Sequence, residues 1–183
     1  GQCVLGAIEK YEKQLRDQTL PREQRIEALK FLIHFIEDVH QPLHVSFADD
    51  RGGNSIPVTL FGEADWNLHS VWDTGLIRQK IRGGNGDWNA LAESIRKDLN
   101  DRQLKKLRAV KNPVAWANES LDITHSLYPH LPKDGNIDGA YYAKYMPTVE
   151  DRLAAAGVRL AMVLNDVFAG KAKPGTTSQP ALN

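Results

Sequence analysis

The feature that most constrains this chain is an apolar helical run that a proline halts close to two potential metal-ligating side chains. Ile26, Leu29, Phe31, Leu32, Ile33, Phe35 and Ile36 leave little of that helix polar, which predicts a central helix buried on several sides. His34 and Asp38 stand four residues apart within it, so both leave the same face. Pro42 disfavours helical backbone in the residue before it, so the helix ends there. That ending lets His44 fold back beside the last turns. His69 and Asp73 repeat the four-residue spacing farther along. Three imidazoles and two carboxylates form a ligand set suited to zinc, which takes histidine nitrogen and carboxylate oxygen. One such pair is commonly just a hydrogen bond. Two pairs and a further histidine in an apolar setting favour a metal, because burying several ionisable groups is costly unless something pairs them. His40 points about 120° away from the His34 side at ~3.6 residues per turn and reads as structural. His125 and His130 read as surface residues.

The remaining chain reads as mainly α, a single-domain multi-helix bundle with a small β-hairpin insertion and a metal cluster at the helix ends. Val4, Leu5, Ile8, Tyr11 and Leu15 recur at helical spacing over residues 3–16. After Pro42 the helical period vanishes, and Asp49–Asn54 is turn chemistry containing Gly52 and Gly53. Ile56, Val58 and Leu60 alternate as a strand, with a turn at Phe61-Gly62 leading toward a second. His69 opens a helix that Gly83-Gly84 stops, and Asp87 caps another. Residues 101–110 predict a short basic helix with a solvated face. Asn112-Pro113 starts a helix, and 132–139 reads as a loop. A long helix is expected from Thr148 to Phe168. Residues 1–169 thus form one helical domain, and 170–183 a polar, flexible tail.

Charge and cysteine content narrow the partners. Acidic and basic residues balance at 23 each, so no broad basic field attracts nucleic acid. A phosphate substrate would be held by local charge such as a metal. No run of eighteen apolar residues predicts a membrane span. The start Gly-Gln-Cys-Val lacks the pattern of a signal peptide, as a mature or truncated start also would. Cys3 is the sole cysteine and closes no internal disulfide, so compartment is not readable from redox chemistry. Asn118-Glu119-Ser120 fits a glycosylation sequon within a helical pattern.

The strings HFIEDVHQPLH (34–44), GGN (52–54) and NLHSVWD (67–73) resemble the zinc-dependent single-strand nuclease family, which includes mung bean nuclease and the fungal single-strand nucleases. Bacterial phospholipase C is a more distant relative. The resemblance continues at Trp116–Ser120 and Ala156–Ala161, so it spans nearly the whole chain. It implies a mostly helical fold, a trinuclear zinc cluster, and hydrolysis of phosphodiester and 3′-phosphomonoester bonds in single-stranded DNA or RNA and in nucleotides. It makes His44, His69 and Asp73 the ligands of one zinc. His34 and Asp38 belong to the other two, with the catalytic Asp38 bridging them, and Asn54 contacts substrate. Clustered zinc binds phosphate oxygens, activates water near neutral pH and stabilises the leaving oxygen, giving 5′-phosphorylated products. By the same resemblance the protein is secreted or periplasmic.

The chain departs from the family in lacking its N-terminal segment, which carries further ligands and base-stacking residues. An upstream segment or a second chain would complete the site, and some relatives pair a cysteine near the position of Cys3 with one upstream. Two other classes stay open: a phospholipase C-type phosphodiesterase, and a non-catalytic metal- or nucleic-acid-binding remnant.

Overall fold

The computed structural model describes residues 3–83 and 86–169. The expected tail, 170–183, lies outside the described residues. Helix α1 (Val4–Arg16) packs along α2 (Arg22–Asp38). Ile8 and Leu15 meet Ala28, Leu32 and Ile36 in a core that Val39, Trp116, Ala117 and Val167 complete. Only one face of α2 is buried. Phe31 is 38 % exposed, and His34 and Glu37 also face outward, so the helix is less enclosed than its composition predicts. Phe31 and Phe35 instead stack on Tyr11, with ring centroids 4.8 and 5.9 Å away. Aromatic stacking of that kind satisfies apolar side chains without placing them in the core.

Strand β1 (Pro57–Leu60) pairs antiparallel with β2 (Glu63–Asn67), Val58 facing Trp66 and Leu60 facing Glu63. Phe61 and Gly62, at φ 50° and 82°, form the two-residue connection; positive φ at both central positions marks a type I′ hairpin turn. A third strand, β3 (Asn136–Ile137), adds parallel to β1 within the stretch expected to be a loop. Two residues are too few for alternation to announce a strand. Ile137 is nevertheless fully buried in the second core, with Leu43, Val58, Leu60, Leu68, Trp72, Leu127 and Tyr141.

The helical run after β2 has three parts: α3 (Leu68–Ser70), a π turn (Val71–Gly75) and α4 (Leu76–Arg82). Asn67 caps it, its side chain accepting from Ser70 N at 2.8 Å while Ser70 Oγ accepts from Asn67 N at 3.2 Å. Single π turns inside helices recur at functional sites, and this one carries Asp73. A Cβ at Gly75 would stand 2.7 Å from a Leu60 methyl, so the glycine lets helix and sheet approach. Helices α5 (Trp88–Asp98), α6 (Asp101–Ala109) and α7 (Pro113–Leu127) follow as expected, with Asp87, Asn100 and Asn112 as caps.

The last helix, α8 (Gly139–Ala169), starts earlier than Thr148 and runs through Pro147. An interior proline costs about 3 kcal/mol. Tyr141, Tyr145 and Met146 before it and Val149 after it are all buried in one cluster. Each fully buried large apolar side chain contributes about 1.5–3 kcal/mol, so packing outweighs the break. Asp138 Oδ1 caps the new start, accepting from Ala140 N and Tyr141 N at 2.9 and 3.0 Å. Its first half lies in the second core, while Val167 reaches the first. The chain reversal between α2 and residue 44 sits at the seam, with Val39 buried in one cluster and Leu43 in the other.

Candidate metal centre

Pro42 does what the sequence predicts. α2 ends at Asp38, and a 3₁₀ turn (Pro42–Val45) returns His44 to it, with His44 Nδ1 2.7 Å from Asp38 Oδ1. On its other side His44 Nε2 lies 3.0 Å from Asp73 Oδ1. His69 Nε2 lies 3.3 Å from Asp73 Oδ2, and the His44 and His69 rings stack with centroids 5.0 Å apart. Ligand atoms of His44, His69 and Asp73 all fall within 4.8 Å of one another, the one such group among the described residues. Burial opposes charge on His44, but Asp38 and Asp73 outweigh it and push the ring up to about 10. Asp73 is held below its usual range, burial notwithstanding, by hydrogen bonds from His44 and Gln41.

Two supports were not singled out from the sequence. Gln41 Nε2 donates to Asp73 Oδ1 at 2.7 Å, while its Oε1 accepts from Leu43 N, so one side chain ties the turn to Asp73. His69 Nδ1 donates to the carbonyl of Gly52 at 2.8 Å. A carbonyl only accepts, so Nδ1 carries a proton and Nε2 is the nitrogen that faces Asp73. Gly52 has φ 65°, and a Cβ there would meet Leu43 O at 2.5 Å, which makes it a glycine position on two counts. Asp50 steadies the loop: Oδ1 accepts from Gly53 N at 3.0 Å and Oδ2 from Tyr128 OH at 2.6 Å. The glycine pair could be read as a turn. That its carbonyl orients His69 could not.

The other expected site residues are placed differently. Asp38 touches His44 and so adjoins the triad. His34 does not join it; its ring tilts against Phe35 at 5.3 Å and lines a cavity of about 470 Å³ with Glu37, Asp38, Trp72, Asp73 and Leu153. Burial raises the Glu37 carboxyl within that wall. Asn54 is exposed on the glycine loop and donates to Arg51 O at 2.9 Å within its own turn. A second, more open cavity of about 500 Å³ lies beyond, lined by Ser46, Phe47, Arg51, Gly52 and His69. Asp38 and His44 border both cavities, so the centre forms the wall between them. His40 is structural, as expected: it is 2 % exposed, with Nδ1 donating to Ile36 O at 2.7 Å.

The donor set fits zinc. Two imidazoles and a carboxylate converge, and each imidazole's other nitrogen is held by an oxygen, as histidines that ligate metals typically are. A mainly helical domain with a small sheet and a His-His-Asp centre at the helix ends is thus the class of protein that the fold and site define. Residues 1–169 match the family model described as S1/P1 Nuclease, and the chain belongs to that family. It is 36 % identical over 186 residues to Endonuclease 4 of Arabidopsis thaliana, covering 93 % of this chain and 62 % of that protein. Nuclease P1 of Penicillium citrinum is 32 % identical over 182 residues, covering 90 % of this chain and 66 % of that one. Nuclease S1 of Aspergillus oryzae is 30 % identical over 189 residues, covering 89 % and 61 %. The chain therefore spans about three fifths of the length of the curated relatives it matches. No helix among the described residues is long and apolar enough to cross a membrane.

Proposed function

We propose that this chain is the larger part of a zinc-dependent endonuclease and 3′-nucleotidase that hydrolyses single-stranded DNA or RNA to 5′-phosphorylated products. The carrying observation is the convergence of His44, His69 and Asp73 within 4.8 Å in a chain of the S1/P1 nuclease family. The relatives' names, endonuclease and nuclease, favour nucleic acid over lipid phosphate as substrate. His44, His69 and Asp73 would hold one zinc; His34 and Asp38 would serve two further ions of a trinuclear site. An upstream segment or second chain supplies the ligands that this group lacks. Secretion or a periplasmic location belongs to the same reading.

When bound, zinc supplies Lewis acidity, neutralising phosphate charge and making water nucleophilic near neutral pH. The chain's own residues prepare for that. Gly52 O holds a proton of His69 on Nδ1, and Asp38, by accepting a hydrogen bond, can hold one of His44 on Nδ1, so that Nε2 of each ring is the nitrogen turned toward Asp73 and a metal. Gln41 holds one oxygen of Asp73 in place. Asn54 and Arg51, on the loop beside the open cavity, are the candidate substrate contacts. With charges balanced at 23 each, affinity for phosphate would rest on such local groups.

The test is a comparison of single-stranded DNA, a 3′-nucleotide and phosphatidylcholine as substrates, with and without chelator, on zinc-loaded protein. Chelator-sensitive release of 5′-phosphorylated nucleotides is expected. Hydrolysis that survives full metal removal, or that acts only on the lipid, would overturn the reading.

A further inference from the structure

The break at Pro42 creates a problem that the local chain does not solve. Helix ends leave backbone carbonyls without intrahelical partners, and buried ones must be satisfied elsewhere. Gln41 N takes Asp38 O at 3.1 Å and His44 N takes Gln41 O at 3.1 Å, while Leu43 N is spent on the Gln41 side chain. The carbonyls of Val39 and His40 have no such local donor, and that of Pro42, which opens the 3₁₀ turn Pro42–Val45, has room for a second. Each is met by one side chain from a distant helix. Ser120 Oγ donates to Val39 O at 2.7 Å, Arg152 Nε to His40 O at 3.1 Å, and Thr124 Oγ1 to Pro42 O at 2.7 Å.

Those donors are themselves fixed. Arg152 Nη2 donates to Ser120 Oγ and Nη1 to Glu119 Oε2, both at 2.8 Å. Arg159 grips both oxygens of Glu119, at 2.6 and 2.7 Å, and donates to His40 Nε2 at 2.9 Å. Arg159 is 1 % exposed, and Ser120 and Thr124 are fully buried. Two arginines on one carboxylate are an inefficient source of stability, because desolvation offsets much of the attraction. What they do that apolar residues could not is hold three successive parts of the reversal in one geometry. That reversal carries Asp38 at one end and His44 at the other.

We propose that Ser120, Thr124 and Arg152, with Glu119 and Arg159 behind them, are positioning residues for the metal centre, fixing the chain reversal that sets Asp38 against His44. The proposal rests on the metal-centre reading above. It predicts that loosening the clamp lowers metal affinity while the rest of the fold stands.

The experiment uses the full chain and three readouts: zinc affinity by chelator competition, the visible spectrum of the cobalt-substituted protein, and thermal unfolding without metal. Thr124→Val keeps the volume and removes the hydroxyl; Thr124→Ser restores it. Thr124→Val is expected to weaken zinc binding by about 10–100-fold, the range for groups that orient metal ligands, and to change the cobalt bands, whereas Thr124→Ser stays near wild type. Ile8→Val, which removes a methyl from the core between α1 and α2 and no hydrogen-bond donor to the reversal, should lower stability without moving either metal readout. Ser120→Ala serves if Thr124→Val does not fold. Wild-type zinc affinity and cobalt bands in both hydroxyl-deletion variants overturn the proposal, as does equal loss of affinity in Ile8→Val. A wild-type chain that takes up no zinc overturns the metal reading instead. Positioning is then decided on the metal-free protein: the His44 imidazole resonances shift in Thr124→Val and return in Thr124→Ser, or stay unmoved and sink it.

Discussion

His69 Nδ1 lies 2.8 Å from the carbonyl oxygen of Gly52, so a residue that gives the loop its left-handed turn also keeps a proton on Nδ1 of a candidate metal ligand. Gly52→Ala attacks both functions. A side chain at φ 65° is strained, and its Cβ would press on Leu43 O. We expect a loss of about 1–3 kcal/mol in denaturant unfolding of the metal-free protein. Zinc affinity should fall as well, since a displaced Gly52 carbonyl no longer orients His69. Unchanged affinity in the variant would show that His69 is oriented by something else.

His69→Ala removes one of the three candidate ligands outright. Zinc content of the purified chain should drop well below that of wild type, and the stabilisation zinc gives to thermal unfolding should vanish with it, because binding energy at such a site is also folding energy. Metal analysis and paired melting curves with and without zinc check this. Retained zinc at the wild-type level would assign the site elsewhere.

Acid sensitivity should come in two windows. Burial holds His40 neutral, down at about 4 from an ordinary 6.5, with Arg152 and Arg159 disfavouring its charge further. A lowered folded value means that its contribution is complete above about 6.5 and is lost as pH falls through about 4. Burial opposes the charge on Glu119, yet hydrogen bonds from Arg159 and Arg152 hold it down at about 2, so its contribution is complete above 4.5 and is lost toward 2. Glu119→Gln should therefore be less stable at pH 7 and show a flatter stability profile between pH 4.5 and 2, while the His40 window persists with its lower end moved down, because Glu119 favours charge on His40. Urea midpoints of both proteins across pH 2–7 measure it. Parallel profiles would mean that the carboxylate of Glu119 does not carry the acid response.

The parts of the site readable in sequence are those that local geometry decides. Pro42 had to end α2 before it, and that ending lets the chain return His44 to Asp38. The four-residue spacing of His69 and Asp73 gave their proximity, although the π turn that holds Asp73 has no signature in spacing. What escaped depends on partners far along the chain. Arg152 and Arg159 share a face of α8 because seven residues make two turns, and Glu119, Ser120 and Thr124 share one of α7. Nothing local says that these two faces meet on the carbonyls of residues 39–42. The same holds for β3, which exists because β1 offers it an edge, and for the start of α8, where buried Tyr141 and Tyr145 override the warning of Pro147. The burial of α2 shows the converse. The spacing of His34 and Asp38 is sound, but helical periodicity cannot tell an apolar face covered by core from one lined by stacked Tyr11, Phe31 and Phe35.

The number of ions separates a single centre from a complete one. Among the described residues, His44, His69 and Asp73 are the one group of three ligands. Asp38 has an oxygen on His44, and His34 faces the 470 Å³ cavity with Glu37 as its other acidic neighbour. A chain of these 183 residues should therefore bind about one zinc tightly, and further ions weakly, since an ion held by one or two side chains keeps most of its water. Phosphodiester hydrolysis that needs several ions should then be slow. Supplying the stretch of a relative that this chain does not match, fused upstream or added as a second chain, should raise bound zinc from about one to about three and increase the rate on single-stranded DNA. Zinc per chain and nuclease rate, measured with and without that stretch, decide the matter. Three tightly bound zinc ions and full activity from the 183-residue chain alone would mean that His34, Asp38 and their neighbours build the cluster unaided.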